Sequence, residues 1–339
     1  MNRAEIVSAT RAGSALFEMG SRGLIEVRGE DRVRWLDGMI SGDVEALAAG
    51  EPGSGCYATL LTSRGAIVAD VHVAQMGKLF LLETLGKEIP NLLETLHRFI
   101  VADDVVLVDR SEERLVLGLE GPTSTAILAA AIDANTPVPT AENWREVTIA
   151  DRDVCVGAFG FSGEAGYQLR LSHDDRADVE AALDGAAGAR SIVRGDAEAL
   201  ETLRVEAGIP ALGRELDREV LPQEARLEHA ISTSKGCYVG QEIMARLRAR
   251  GRVNHLLVGL KLETAEMPRE GAELSAEGRR TGEITSLAES PTAGRIALAY
   301  VRREHAEPGN AVEFEAGRGE IVELPFVSSA GSPPNAREP

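Results

Sequence analysis

The sequence predicts an α+β fold for this chain. Up to about residue 208, short strand-like runs alternate with helical segments, which favours α+β over a doubly wound parallel sheet. Residues 253–325 contain only short strand-like runs separated by glycine, proline and glutamate turns. Regularly spaced short strands of this kind are typical of a small barrel or sandwich. The chain therefore divides into a mixed body and an all-β C-terminal unit.

The composition limits the classes of protein to consider. The 339 residues suit two or three compact units, and 44% of them are hydrophobic while only 4% are aromatic. Aliphatic side chains must therefore fill the interior. The formal net charge of −18 disfavours direct binding of nucleic acid, whose phosphates require a positive surface.

The cysteines and the apolar runs bear on location and on metals. Cys56, Cys155 and Cys237 lie far apart and form no CxxC pair, so neither structural zinc nor an iron–sulfur cluster held by this chain alone is expected. So few cysteines suit a reducing cytoplasm. The N-terminus lacks the apolar segment of a secretory signal, and no apolar run approaches the roughly 20 residues that span a bilayer. We expect a cytoplasmic protein with no metal site and no membrane contact.

Local signals place the elements in order. Asp31 is a typical N-cap, Pro122 opens a helix, Gly208 closes one, and residues 62–65 form a four-residue hairpin loop. The predicted helices cover residues 1–20, 31–42, 90–99, 122–134, 174–183 and 197–207. The predicted strands cover residues 24–27, 53–61, 67–73, 79–83, 105–108, 115–119, 147–149, 155–158, 256–262, 273–274, 280–287, 296–301 and 311–314.

These elements suggest three segments. Residues 1–240 would form the body, as one unit or as two subdomains, and residues 241–327 would form a β-barrel. Residues 328–339 contain three prolines and are expected to be a disordered tail.

One stretch of eight residues stands out, Lys235-Gly236-Cys237-Tyr238-Val239-Gly240-Gln241-Glu242. Its two glycines favour a shaped loop that leads into a short helix. Lys235 lies two residues from Cys237, near enough to favour the thiolate. Tyr238, Gln241 and Glu242 add hydrogen-bonding groups beside it. The alternative is a buried and inert thiol at the start of a helix.

Two further motifs lie upstream of this octapeptide. The loop Gly160-Phe161-Ser162-Gly163-Glu164-Ala165-Gly166-Tyr167 leads into an alternating strand, and its three glycines would let a ligand approach the backbone. The run Leu203-Arg204-Val205-Glu206-Ala207-Gly208 ends a predicted helix.

The octapeptide resembles the signature of YgfZ-type folate-binding proteins, relatives of the glycine cleavage T-protein. The other two motifs resemble runs that T-proteins carry, and the resemblance extends to about Pro325. It implies a T-protein-like body that encloses a folate channel, followed by a small C-terminal β-barrel. It also implies an accessory protein that binds tetrahydrofolate, or a one-carbon-substituted folate, and supports assembly or repair of iron–sulfur clusters. Its partners would be iron–sulfur client or assembly proteins, with an indirect effect on tRNA-modifying cluster enzymes. The alternative is a folate-dependent aminomethyltransferase or another one-carbon transferase.

The resemblance also implies a folate site. Glu164 matches an acidic residue that accepts hydrogen bonds from the pterin. Tyr167 would line the same pocket or simply pack within its strand. Arg204 would pair with the glutamyl carboxylates of folate, or it would form a structural ion pair with Glu206 or another acid.

The resemblance departs from the T-protein pattern at Ala69-Asp70. T-proteins carry two adjacent aspartates here, and the first is held to be catalytic. Alanine can neither hold a proton nor orient folate, and a general acid typically contributes roughly 10²–10⁴-fold in rate. Asp70 could substitute, but in a strand it would point to the opposite face from Ala69. The departure argues against glycine cleavage and leaves enzymatic activity open.

Cys237 then has three interpretations, as a reactive thiolate, as a transient ligand of a cluster shared with a partner, or as a structural residue. The resemblance favours a functional role. Four arginines alternate after the octapeptide, at Arg246, Arg248, Arg250 and Arg252. In an extended segment they would form one basic patch that receives an anion, whereas the alternative is a solvated strand with salt bridges.

Overall fold

The structure is a computed structural model that describes residues 1–20, 22–315 and 317–329. Its α-helices are α1 (Arg3–Ala12), α2 (Arg32–Met39), α3 (Val44–Ala49), α4 (Ile89–His97), α5 (Ser124–Ala131), α6 (Arg176–Ala187), α7 (Ala197–Ala207) and α8 (Gln241–Arg250). Its strands in the body are β1 (Ala15–Glu18), β2 (Arg22–Arg28), β3 (Gly55–Leu61), β4 (Ile67–Gln75), β5 (Phe80–Leu85), β6 (Val106–Asp109), β7 (Leu115–Glu120), β8 (Trp144–Ile149), β9 (Arg152–Gly157), β10 (Gly166–Leu171) and β11 (Val193–Gly195). Those after α8 are β12 (His255–Thr264), β13 (Glu273–Ala276), β14 (Arg279–Ser290), β15 (Gly294–Arg302), β16 (Ala311–Phe314) and β17 (Gly317–Val322).

The strands form two open sheets and one closed barrel. The first body sheet has the order β3-β4-β5-β2-β6, and the second has the order β11-β1-β7-β10-β9-β8. The six C-terminal strands close in the order β12-β15-β14-β13-β16-β17. The predicted α+β class with a small C-terminal β-barrel is thus confirmed. None of the helices in the described residues is long and apolar enough to cross a membrane.

Each sheet of the body has its own apolar core on its outer face. The first sheet packs against α2, α4 and α8 through residues such as Leu36, Leu92 and Met244. The second sheet packs against α5 and α6 through Leu128 and Leu183. A third core fills the barrel. These cores are mainly aliphatic, as the low aromatic content predicts. The inner faces of the two body sheets remain for other side chains.

The N-terminal segment departs from the prediction. α1 begins with a reciprocal cap between Asn2 and Glu5, but it ends at Ala12, and Ala15–Glu18 is a strand. The predicted helix over residues 1–20 is therefore wrong in its second half. β1 exists because it pairs with β7 and β11, which lie far along the chain, so no local signal reveals it. The patterns also miss α3, β11 and β17, none of which exceeds six residues.

α8 contacts the body more than the barrel. It begins directly after Gly240, as the octapeptide predicts, and Met244 is buried in the core of the first sheet. The barrel starts at His255. We therefore propose a boundary after α8 rather than at residue 240. Of the predicted disordered tail, residues 330–339 lie outside the described residues.

Candidate functional site between the two body sheets

The two body sheets enclose a layer of polar and aromatic side chains. On β4, Ala69 is 1% exposed and belongs to the outer apolar core. Asp70 and His72 lie on the other face of the strand, because successive side chains alternate. There the His72 ring stacks on Phe159, which follows β9 of the second sheet. We call this region the inter-sheet layer and define it by Arg22, Tyr57, Asp70, His72, Phe159 and Phe161.

The orientation of Asp70 affects how the alanine at position 69 is interpreted. Ala69, which stands where T-proteins carry the first aspartate, lies on the apolar face, where a carboxylate would be buried in a hydrophobic core. Asp70 instead presents its carboxylate to the inter-sheet layer, where Tyr57 Oη donates to its Oδ2 at 2.9 Å. Ala69 and Asp70 therefore point to opposite faces of β4, as expected, and Asp70 lies on the face with the polar side chains.

Tyr57 and Arg22 set the electrostatics around Asp70. Burial raises the pKa of Tyr57 well above its ordinary value, and the nearby Asp70 carboxylate raises it further. Tyr57 therefore remains a neutral donor. Burial lowers the pKa of Arg22, while Asp70 opposes that shift. The guanidinium of Arg22 also lies 4.7 Å from the centre of the Phe161 ring. Asp70 thus accepts a hydrogen bond from one neutral donor and lies within the electrostatic field of one nearby cation.

His72 forms the second polar pair of the layer. Its Nδ1 lies 2.7 Å from Oε2 of Glu142, and its ring centre lies 3.7 Å from that of Phe159. Glu142 has a φ of +65°, a conformation that a residue with a Cβ rarely adopts. The Glu142 backbone is pressed against β3, since a Cβ on Gly55 would lie 2.1 Å from the Glu142 carbonyl oxygen. Close packing of the two sheets therefore holds this strained acid against the imidazole.

The loop over residues 160–166 borders the same layer. It wraps around the buried carboxylate of Glu120, which accepts hydrogen bonds from the backbone of Phe161 and from the backbone and hydroxyl of Ser162. Burial raises the pKa of Glu120, and these bonds oppose the shift. A Cβ on Gly166 would lie 2.5 Å from the Cα of Gly160, so the loop closes only with glycines. The glycines thus serve the packing of the protein itself.

Glu164 and Tyr167, both predicted to contact folate, lie in different surroundings. Glu164 is 7% exposed, and its Oε1 accepts a hydrogen bond from Arg11 at 2.8 Å. Its Oε2 is buried and has no hydrogen-bond partner among the described residues. Tyr167 is buried in the outer core of the second sheet, and its hydroxyl pairs with Thr125 at 2.9 Å. Glu164 therefore has a free acceptor oxygen for a ligand. Tyr167 instead packs within its strand, which was the alternative to lining the folate pocket.

Arg204 lies at the junction of body and barrel. Its guanidinium donates to Glu201, to Glu215 at 2.9 Å, and to Ser286 of the barrel at 2.7 Å. Glu215 is fully buried. The geometry favours the structural ion pair over a folate contact, although its partners are Glu201 and Glu215 rather than Glu206. Glu206 instead pairs with Arg11 at 2.9 Å.

The octapeptide lies against α2 and the first sheet. The side chain of Lys235 is 1% exposed, and its Nζ donates to the carbonyl oxygens of Ile40 at 2.9 Å and Gly42 at 2.7 Å. It also pairs with the Asp37 carboxylate at 3.0 Å. No hydrogen bond or ion pair within the described residues joins Lys235 to Cys237, which is exposed. Lys235 therefore anchors the loop, and the expected activation of the thiol has no contact to support it.

The rest of the octapeptide completes this anchor. Tyr238 packs against the core of the first sheet and lies under the Lys235 ammonium at 5.2 Å. Gly236 has open space around it, and Gln241 and Glu242 form the first turn of α8. Because α8 is helical, Arg246 and Arg248 lie on nearly opposite sides of it. The interpretation of the arginines as one extended basic patch is therefore wrong.

Several residues of the layer, unlike Asp70, were not predicted from the sequence. His72 lies two positions after Asp70, and Tyr57 lies opposite His72 in the predicted hairpin, so the period of a strand could have revealed this polar stripe. Glu142 carries no such signal, because it lies outside the strands and reaches His72 only through sheet packing.

The fold and the layer define a class of protein: a two-sheet α+β body with a carboxylate between its sheets, joined to a C-terminal barrel. Residues 3–235 match the family described as GCVT N-terminal domain, and residues 256–329 match the glycine cleavage T-protein C-terminal barrel domain. The chain therefore belongs to the glycine cleavage T-protein family, which confirms the coarser part of the predicted resemblance.

Individual relatives agree with this assignment. An aminomethyltransferase of Streptomyces coelicolor is 30% identical over 328 residues, which cover 94% of this chain and 87% of the relative. The aminomethyltransferase of Bacillus subtilis is 28% identical, with 94% and 89% covered. The crystal structure of glycine cleavage system aminomethyltransferase T from Bartonella henselae matches with a TM-score of 0.84 at 24% identity, over 97% of this chain and 90% of that one. The printed names of the two sequence relatives agree with the alternative function better than with iron–sulfur assembly.

Proposed function

We propose that the protein binds tetrahydrofolate along the inter-sheet layer and transfers an aminomethyl or another one-carbon group to it. The observation that carries the proposal is the carboxylate of Asp70, which faces the layer between a neutral tyrosine and a buried arginine. Ala69, which stands where T-proteins carry the first aspartate, lies in the apolar core, so in this proposal Asp70 takes the catalytic role.

The loop that borders the layer offers a buried polar atom that fits a folate. Glu164 Oε2 is an unpaired acceptor, and a pterin ring offers amino and ring N–H donors that would satisfy it. Phe161 lies three residues from Glu164 on the same loop, and its ring meets His72 edge-on. Flat aromatic surfaces of this kind stack on a pterin and a p-aminobenzoyl ring.

Each residue then has a separate role. Glu164 would hold the pterin, with Arg11 keeping that carboxyl in place. Asp70 would orient the acceptor nitrogen and hold its proton during transfer, with Tyr57 fixing the carboxylate. Bound tetrahydrofolate supplies the nitrogen that accepts the one-carbon group. Tyr167 and Arg204 remain outside this assignment because their polar groups already have protein partners.

Anaerobic calorimetry with tetrahydrofolate tests the binding step. The wild type should bind, and Glu164→Gln should bind at least tenfold more weakly, because the amide replaces one acceptor oxygen by an NH2 donor, which would face either Arg11 or the pterin N–H groups. The matched control is Glu198→Gln, an exposed acid on α7. Absence of binding by the wild type would end the folate proposal.

A turnover assay with an aminomethylated lipoyl carrier tests the transfer step. Asp70→Asn should retain binding and lose roughly 10²–10⁴-fold in rate. Ala69→Asp should restore nothing and should destabilise the fold, because the new carboxylate enters an apolar core. A gain in rate for Ala69→Asp would show that the position before Asp70 is the catalytic one.

A second candidate function is the predicted YgfZ-type support of iron–sulfur cluster assembly or repair, with its indirect effect on tRNA-modifying enzymes. One observation favours it: the thiol of Cys237 is exposed on a loop that Lys235 anchors firmly. We place either activity in the cytoplasm, where free thiols stay reduced. Cys237→Ser should then abolish support of cluster enzymes while tetrahydrofolate binding stays unchanged. If that variant supports cluster enzymes fully, the iron–sulfur function is excluded and the transferase function remains.

A further inference from the structure

A small cavity lies beside Arg22 at the border of the inter-sheet layer. Its volume is about 10 Å³, roughly the space of one water molecule. Four guanidinium side chains and one carboxylate line it, those of Arg22, Arg110, Arg114, Arg170 and Glu83. Arg114 is exposed and the Arg110 side chain is 29% exposed, whereas the side chains of Arg22 and Arg170 are 10% and 3% exposed. The cavity therefore has a rim near the surface and an inner end with two buried cations.

Charge is unbalanced at the inner end. Glu83 accepts a hydrogen bond from Arg22 at 2.9 Å and also contacts Arg170, so one carboxylate serves two guanidinium groups. Nε and Nη1 of Arg170 are buried and have no acceptor within the described residues. The indole of Trp144 covers one face of that guanidinium at 4.2 Å, which leaves the in-plane donors unmet. The next carboxylate that acts on Arg22, Asp70, is already bonded to Tyr57.

At the rim, Arg110 is paired on both sides and Arg114 is exposed. Arg110 pairs with Glu26 at 2.9 Å and with Glu113 at 2.5 Å, and Glu26 also pairs with Arg28. An anion that enters past the rim would therefore be attracted to the inner end, where Arg170 offers donors in a low-dielectric environment. The net charge of −18 repels anions from the protein as a whole, so binding here depends on the local positive charge of Arg22 and Arg170.

We propose that this cavity binds one small monovalent anion against Arg170 and Arg22. The volume admits a group the size of a halide ion or one carboxylate oxygen, and it is too small for a whole phosphate or sulfate. The anion is either a free halide or the carboxylate of an organic ligand that reaches past Arg110. The free-halide case is independent of the proposed folate site; the organic case rests on it if the ligand is folate.

Thermal unfolding with chloride, at constant ionic strength set by sodium gluconate, tests the site. Chloride at about ten times its Kd should raise the wild-type midpoint by about 2 to 4 °C. Arg170→Met should abolish this rise, and the control Arg194→Met, an exposed arginine on β11, should keep it. Glu83→Gln removes the competing carboxylate, so it should tighten chloride binding at least tenfold. If Arg22, Glu83 and Arg170 form only a structural ion triad, chloride should not change the unfolding midpoint of any of these four proteins.

Broadening of the ³⁵Cl NMR signal gives a second readout, and competition identifies the source. Displacement of chloride by formate, but not by tetrahydrofolate, assigns a free small anion. Displacement by tetrahydrofolate, but not by 6-methyltetrahydropterin, assigns the carboxylates of folate. If Arg170→Met does not fold, Glu83→Gln decides: tighter chloride binding supports the site, and an unchanged response overturns it. A wild type that responds to none of these anions also overturns it.

Discussion

Arg204 and Arg170 are both buried arginines, and the protein treats them differently. The guanidinium of Arg204 makes five hydrogen bonds, two to Glu201 and one each to Ile209, Glu215 and Ser286. That number equals the N–H donors of the group. Arg170 faces one carboxylate, which it shares with Arg22, and two of its nitrogens have no acceptor among the described residues. The first arginine joins the barrel to the body, and the second borders a cavity.

The carboxylates of the two regions differ in the same way. Arg11 holds both Glu206 and Glu164. Glu206 also accepts from Ser290 of the barrel, so both of its oxygens are used. Glu164 keeps one buried oxygen without a partner in the described chain. Buried polar groups are nearly always satisfied, so Arg204 and Glu206 occupy structural positions, whereas Arg170 and Glu164 are the positions where the proposed ligands would supply the missing partners.

The largest expected effect comes from breaking the satisfied junction. Arg204→Ala leaves Glu215 buried without its cation and should lower the free energy of unfolding by about 3–5 kcal/mol. Urea unfolding measures this loss. The matched Arg194→Ala, at an exposed pair with Asp184, should change stability by less than about 1 kcal/mol. A loss below 1 kcal/mol for Arg204→Ala would contradict the structural role and reopen its predicted contact with folate.

The three cysteines differ in burial, and their thiols should differ in reactivity for that reason. Burial raises the pKa of Cys56 from its usual value near 9 to about 12, and burial also raises that of Cys155. At pH 8 the higher pKa lowers the thiolate fraction of Cys56 by about a thousandfold, and that fraction then grows tenfold per pH unit up to about pH 11. A disulfide reagent should therefore modify one thiol quickly, the exposed Cys237. Cys237→Ser should remove the fast phase, and its persistence would show that a second thiol is open.

A smaller effect is expected where the two sheets press together. Gly55→Ala places a methyl group 2.1 Å from the Glu142 carbonyl oxygen and should cost about 1–3 kcal/mol in stability. It should also separate Glu142 from His72, so tetrahydrofolate binding should weaken alongside. The control is Gly236→Ala, which meets no atom within 4 Å. Equal stability of the two variants would show that the backbone at Glu142 can shift to accommodate the methyl group without lowering the free energy of unfolding.

The smallest effect sharpens the contrast between the two arginines. Arg170→Met leaves Glu83 paired with Arg22 and removes a cation that lacks full compensation. In chloride-free buffer the free energy of unfolding should therefore change by less than about 1 kcal/mol, or should rise. The same urea titration used for Arg204→Ala measures it. A loss comparable with that of Arg204→Ala would mean that both arginines are structural.

Local signals in the sequence were enough for most elements. The α+β class, the C-terminal barrel and the start of α8 after Gly240 follow from turn residues and from periodicity, which act over a few residues. β1 and α3 did not follow, because β1 depends on pairing with β7 and β11, and α3 has only six residues. The alternating arginines suggested a strand where α8 forms, because a two-residue spacing alone does not exclude a helix.

The sequence by itself determined the family motifs and the opposite orientation of Ala69 and Asp70. Only the tertiary structure decided which of those two faces is polar, because that depends on Phe159 and the second sheet. It also assigned Arg204 to the barrel junction through Ser286. The physical reason is common to these cases: burial and hydrogen-bond satisfaction are set by partners far along the chain, and a residue's own neighbours in sequence do not specify them.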